Sequence, residues 1–252
     1  MASRRLKLLR DACPGRPALD AALSRATLLR VARGLEPETL RLYVPDAVVA
    51  FGRRDAAAPG YAEAVRAARE RGFAAVQRLA GGRAAVFHEA TLAFAWTIPD
   101  PAAREHIHRR FDELADVMAA AFRKLGIDAR VGEVPGEYCP GAHSVNARGE
   151  RKLMGVGQRV IPGATHVGGV VVVADSARIR DVLGPVYAAL ELDWRPETAG
   201  SLRDELETLS VEQAARAILD EFAARYELAP ASIEPETREL AESLERDHVP
   251  RA

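Results

Sequence analysis

Between residues 16 and 34 (RPALDAALSRATLLRVARG) apolar side chains return at helical intervals. Leu19, Ala22, Leu23, Ala26 and Leu29 would share one face, and Gly34 suits the stop. The pattern then changes to LRLYVPDAVVAFG (40–52), which predicts two short strands parted near Pro45, because proline cannot donate to a sheet ladder. Residues 59–71 open on Pro59, consist of helix formers and meet Gly72, while FAAVQR (73–78) reads as a strand running into a glycine pair. A second strand pair is expected over 85–88 and 92–98. The clearest helix lies between residues 101 and 125, where Ile107, Phe111, Leu114, Val117, Met118, Ala121, Phe122 and Leu125 form one apolar stripe ahead of Gly126. Residues 127–173 predict further strands with glycine and proline turns, ending in the apolar run 169–174. Asp175 and Ser176 suit the start of a helix to residue 190. Ser210 to Gln213 has the form of a capping box ahead of a helix carrying Val211, Ile218, Leu219 and Phe222. The charged stretch 235–248 reads as a solvent-facing helix or tail, with the run from Arg238 to Asp247 as its solvated face.

Helices are interspersed with hairpin-like strands and do not alternate strictly with them. This predicts an α+β fold: a mixed, largely antiparallel sheet flanked by helices. No internal repeat or low-complexity linker divides the chain. The expected organisation is one domain over 16–228, an N-terminal arm (1–15) and a C-terminal helical tail (229–252).

Composition narrows the class. The 252 residues, 48% hydrophobic and 28% charged, can bury a sizeable core. With 35 Lys plus Arg against 36 Asp plus Glu, the net charge of -1 gives no electrostatic case for nucleic acid or an anionic membrane as partner. No apolar stretch has the length of a secretory signal core or a spanning helix. Two cysteines, Cys13 and Cys139, are too few for a disulfide framework, so a cytoplasmic, reducing compartment is expected.

Two segments carry candidate chemistry. In Arg78-Leu-Ala-Gly-Gly-Arg-Ala-Ala-Val-Phe-His88, Gly81 and Gly82 let backbone approach a ligand, and Arg78 and Arg83 could hold a carboxylate or phosphate. The bland alternative is a tight hairpin with two solvated arginines. The glycine pair lacks the Lys-Ser/Thr ending of a P-loop and opens no clear helix. In Arg151-Lys-Leu-Met-Gly-Val-Gly-Gln-Arg159, Lys152 opens a strand that also bears Gly155 and Gly157, and small residues on a strand leave a groove beside it. A lysine at the mouth of such a groove can bind a carbonyl or acyl-phosphate oxygen; an isolated strand lysine is ordinarily just solvated.

Taken in order, RLAGGRAAVFHEATLAFAW and RKLMGVGQR resemble the lipoate-protein ligase and octanoyltransferase family, which shows Arg-x-Ser/Thr-Gly-Gly-x-Ala-Val-x-His followed by Lys-Ile/Leu-x-Gly-x-Ala-x-Arg. VVAFGRRD and THVGGVVVV extend the resemblance, which covers about residues 16–225. It implies a biotin/lipoate ligase-like fold with the acyl chain in a tunnel. Matched residue by residue, Arg78, Gly81, Gly82 and His88 fall in the first block, and Lys152, Gly155 and Arg159 in the second. Lys152 would contact the acyl carbonyl or adenylate phosphate, and Gly157 lies on the same substrate groove. The chain departs from the pattern at Ala80, where Ser or Thr is usual, at Gln158, and in one extra residue through Arg83-Ala84-Ala85. Metal-ligand spacing is not apparent: His106 and His108 would point apart on a helix.

The resemblance implies lipoyl or octanoyl attachment to a lysine of a lipoyl carrier domain, either of a dehydrogenase complex or of the glycine cleavage carrier protein. Acyl carrier protein is a further possible partner. Two routes are open. A ligase would use ATP with Mg²⁺ to form an acyl-adenylate, with Arg53, Arg54 and Arg83 as phosphate contacts. A transferase would use Cys139 as acyl-thioester nucleophile, as some octanoyltransferases of the family use a cysteine upstream of the lysine block. The sequence slightly favours the ligase, because no Cys-Gly nucleophile follows Lys152. A non-catalytic acyl-binding module of the same fold is a third reading. His143 and Ser144, near Cys139 in GEYCPGAHS, invite a triad reading in which His143 activates the thiol across the Pro-Gly turn; no spacing rule demands it, and the favoured role of His143 is to stabilise the turn.

Overall fold

The computed structural model describes residues 4–251. In chain order the elements are β1 (Arg4–Leu9), α1 (Pro17–Ala32), β2 (Thr39–Tyr43), β3 (Val48–Phe51), α2 (Arg53–Ala56), α3 (Tyr61–Glu70), β4 (Ala74–Gln77), β5 (Ala85–Phe87), β6 (Thr91–Asp100), α4 (Ile107–Lys124), β7 (Ala129–Val131), β8 (Val145–Ala147), β9 (Arg151–Ile161), β10 (Gly163–Val172), α5 (Ser176–Ala189), α6 (Val211–Ala223), β11 (Tyr226–Ala231) and α7 (Pro235–Leu244). Eight strands form one sheet in the order β11-β1-β2-β6-β10-β9-β8-β7, and β4-β3-β5 form a second. Among the strands of the described residues only the pairs β1–β11, β1–β2 and β3–β4 are parallel, so the architecture is the mixed, largely antiparallel α+β arrangement expected.

Pro45 sits between strands of different sheets: β2 belongs to the large sheet and β3 to the small one. The expected pairing of 85–88 with 92–98 does not form. The His88–Thr91 turn hands the chain from one sheet to the other, β5 pairing with β3, and β6 with β2 and β10. Local alternation marks strands but not their partners. The burial of nearly every residue of β6 makes it an interior strand instead.

Helices α4 and α6 cover one face of the large sheet through Leu114, Met118, Phe122, Ile218 and Phe222, with Trp96 edge-on to Phe222 at 5.6 Å. Each such side chain fully buried contributes about 1.5–3 kcal/mol. Helices α3 and α5 cover the small sheet around Phe51, Val65, Ile179 and Leu183. The Ser210 capping box forms as expected, whereas Asp175 takes a left-handed conformation (φ 58) and makes no side-chain cap.

Both terminal segments are tied into this body. Arg4–Leu9 is not an arm but an interior strand, with Leu6 fully buried between β2 and β11. Helix α7 packs Ala241 against Leu19 and Leu23 of α1. Glu242 of α7 and Glu245 just after it pair with Arg16, and Asp247 pairs with Arg25. The charged residues from Arg238 to Asp247 otherwise stay exposed or half-buried, as a solvated face requires, while Ala241 is buried. No helix among the described residues is long and apolar enough to cross a membrane.

Candidate active site

Lys152 owes its direction to a bulge. Val145 pairs with Met154 but Asn146 with Lys152, so Leu153 is an extra residue in β9. Regular alternation would separate Lys152 from Gly155 and Gly157. The bulge turns it to their face, and a Cβ on Gly155 would stand 3.1 Å from Lys152 Cε. The ammonium is 1% exposed. It donates to Glu137 Oε1 (3.0 Å), Tyr138 O (3.0 Å) and Cys139 O (2.8 Å), with the Tyr138 ring 4.9 Å away. All three N–H bonds are thereby occupied, and none is left for a substrate oxygen. Glu137 is equally satisfied, accepting also from Ser144 Oγ (2.6 Å), Gly141 N–H (3.1 Å) and Val134 N–H (3.1 Å). A buried pair bonded this completely offsets much of its desolvation.

The loop so clamped carries Cys139, whose φ of 43 is left-handed for a residue with a Cβ. Tyr187, from α5, accepts the Cys139 N–H (2.8 Å) and donates to Ala84 O (3.1 Å), joining this loop to the glycine segment. Arg78 Nη2 and the Arg83 backbone N–H point at the sulfur from 3.3 and 3.2 Å. Burial pushes the Cys139 thiol up, but the Arg78 and Lys152 charges and these two hydrogen bonds outweigh it, leaving the thiol below its ordinary value.

The glycines serve this packing. At Gly82 (φ 109) a Cβ would lie 1.9 Å from Arg78 Nη2 and 2.8 Å from Cys139 Sγ. At Gly157 it would meet Ala80 Cβ and Gly81 O at 3.0 Å, so the glycine segment rests on β9 at the positions where the chain carries Ala80 and Gln158. Gly81 faces open space, with its N–H 3.4 Å from Gln158 O. The Arg83 side chain turns away to buried Asp55 at 3.2 Å.

Two hollows flank the segment. Gly81, Gly82, Cys139, Phe111, His143 and Val156 line a pocket open at the sulfur. On the other side a chamber of about 100 Å³ lies between the two sheets and α1, walled by Ala50, Val76, Phe87 and Phe94. That volume is several times what one water requires. Arg78 lines the chamber and also touches the sulfur, so the two hollows adjoin at this residue. His166 is 5% exposed in the chamber wall, and burial holds its imidazole neutral, down to about 4, with Nδ1 unpartnered.

Of the residues singled out from sequence, Arg78, Gly81, Gly82, Arg83, Cys139, Lys152, Gly155 and Gly157 come together. Arg159 instead lines a separate cleft with Arg25, Arg53, Arg78 and Arg251. His88 is fully buried, its Nδ1 accepting the Ala90 N–H at 3.2 Å within the turn between sheets. Sequence reasoning missed Glu137, Tyr138 and Tyr187. The first two sit beside Cys139 and could have been weighed; Tyr187 arrives from a distant helix with no local signal. Among the described residues, no group of three His, Cys, Asp or Glu could hold a metal ion.

An octanoyl-GcvH:protein N-octanoyltransferase of Lysinibacillus sphaericus (strain C3-41) is 26% identical over 125 residues, 50% of this chain and 45% of the relative. A lipoyl-GcvH:protein N-lipoyltransferase of Listeria monocytogenes serovar 1/2a (strain ATCC BAA-679 / EGD-e) is 28% identical over 147 residues, 57% of this chain and 52% of the relative. The matched stretch thus spans about half the length of these curated relatives. The crystal structure of lipoate-protein ligase A bound with ATP shares the fold, with a TM-score of 0.79 at 21% identity over 96% of this chain and 94% of that one. Residues 16–223 match the model of the lipoyl protein ligase A/B catalytic domain, and the chain belongs to that family.

Proposed function

We propose that the chain transfers an octanoyl or lipoyl group to a lysine of a lipoyl carrier domain through a thioester on Cys139. The observation that carries this reading is the sulfur held at 3.3 and 3.2 Å by a guanidinium and a backbone N–H, in a site that stabilises its thiolate. The thiolate attacks the acyl carbonyl of the donor. The same Arg78 and Arg83 donors then lie beside the new thioester and can stabilise the oxyanion formed in each half-reaction. The chamber takes the acyl chain, and Gly81, which faces open space, leaves room for it beside the sulfur. Lys152 is a positioning residue: it clamps the Cys139 loop and lowers the thiol by its charge, in place of the direct carbonyl contact expected from sequence. The names of the relatives make a GcvH-type glycine cleavage carrier the first donor or acceptor to try, followed by lipoyl domains of dehydrogenase complexes and acyl carrier protein.

The ligase route keeps one supporting observation, the cleft with Arg25, Arg53, Arg78, Arg159 and Arg251, whose charge suits ATP phosphates. The cleft's carboxylate, Asp247, is already paired with Arg25 at 2.7 Å, so Mg²⁺ would be held mainly by the nucleotide. One experiment separates the routes. The chain is incubated with octanoyl-GcvH, or with lipoate, ATP and Mg²⁺, and weighed intact. A thioester-linked octanoyl adduct that vanishes in Cys139→Ser is expected. Carrier modification from lipoate and ATP, undiminished in Cys139→Ser and without an adduct, would refute the thioester and establish the ligase.

A further inference from the structure

Of the residues lining the pocket at the sulfur, only Cys139 and His143 ionise; Ile107, Phe111, Val156 and Val160 make an apolar wall. The turn expected to be stabilised by His143 is closed by the backbone, Ser144 N–H donating to Gly141 O at 3.0 Å. The imidazole is held by α4 instead. Its Nε2 lies 3.1 Å from Asp112 Oδ1, and its ring stacks on Phe111 with centroids 4.8 Å apart and planes 12° from parallel. With Nε2–H committed to the carboxylate, Nδ1 is the nitrogen free to take and return a proton. The His108 ring lies 6.5 Å away, on the helix that carries Asp112, and the Cys139 thiol lines the same pocket.

Resting on the thioester reading, we propose that His143, oriented by Asp112, is the proton donor and acceptor for the carrier lysine nitrogen. In the first half-reaction the Cys139 thiolate attacks an acyl-lysine amide; the C–S bond forms and the C–N bond breaks. An amide nitrogen does not leave as an anion, so the His143 imidazolium protonates it, and a second proton from water completes the lysine ammonium. In the second half-reaction an acceptor lysine, as free amine, attacks the thioester; the C–N bond forms, the thiolate leaves with its electron pair, and His143 removes the proton from nitrogen. A thiolate leaving group needs no such acid. An amide donor and a thioester donor therefore place different demands on one histidine.

The test uses the full chain and follows octanoylation of Cys139 by intact mass. The donors are octanoyl-GcvH, an amide, and octanoyl-N-acetylcysteamine, a thioester. In His143→Gln the amide-donor rate is expected to fall about 100-fold or more while the thioester-donor rate stays within about threefold. Equal losses on both donors would reduce His143 to a packing role, and no loss on either would remove it from the reaction. Should His143→Gln fail to fold, Asp112→Asn, at an exposed carboxylate, is expected to show the same split at about tenfold, and its absence overturns the proposal. No adduct from either donor in the unaltered chain would overturn the thioester reading itself.

Discussion

Replacing Lys152 by methionine removes the ammonium while keeping a long apolar side chain in its place. Glu137, with no side-chain exposure, would then lose its counter-charge, and Tyr138 O and Cys139 O would lose their donor. Breaking a buried, hydrogen-bonded pair from one side costs about 3–5 kcal/mol. The remaining bonds from Ser144, Gly141 and Val134 keep Glu137 below the top of that range. For a chain of 252 residues a loss of about 4 kcal/mol corresponds to a Tm lower by roughly 8–16 °C. Urea unfolding followed by tryptophan fluorescence measures it, and the probe is well placed: Trp194 lies 6.1 Å from the Tyr138 ring and 5.5 Å from that of Tyr187. Glu137→Gln in the Lys152→Met background removes the orphaned charge and should recover about half of the loss, roughly 2 kcal/mol. Alkylation of Cys139 by iodoacetamide at pH 7 should slow in both variants, since a thiolate-stabilising charge is gone. A Lys152→Met protein destabilised by less than about 1 kcal/mol, or a double variant no better than the single, would refute the clamp.

Gly82→Ala would press a methyl group onto Arg78 Nη2 and Cys139 Sγ at a φ of 109; a cost of about 1–3 kcal/mol and slower Cys139 alkylation are expected. Gly81→Ala, which meets nothing within 4 Å, should change stability by no more than about 0.5 kcal/mol in the same denaturant series. His166 supplies a pH test. Burial lowers its folded-state value to about 4, against about 6.5 for a free imidazole, so the unfolded chain binds the extra proton between those limits. Its contribution, on the order of 3 kcal/mol, is in place above about pH 6.5 and lost as pH falls towards 4. His166→Leu should flatten the stability profile across that window, and an unchanged slope would contradict the assignment.

The sequence by itself determined the elements and much of the constellation. Periodicity and stop residues located the helices at 17–32, 107–124 and 211–223, because helix-facing and capping preferences are local. The two motif blocks singled out Arg78, Gly82 and Lys152, and the turn-rich segment between them offered Cys139, residue types that survive as a readable string. Tertiary structure decided what those residues do. A single bulge at Leu153 brought Lys152 to the face of Gly155 and Gly157, which strict alternation would have kept from it. Glu137 and two carbonyls took up its donors, and Arg78 came from another sheet to the Cys139 sulfur. Strand partners, the seating of β1 inside the sheet and the ion pairs of α7 likewise rest on contacts between segments far apart in the chain. Hydrophobic pattern records which side of an element is buried; it carries no label for the surface that buries it. The balance between burial and nearby charge that sets a thiol's pKa exists only once those surfaces have met.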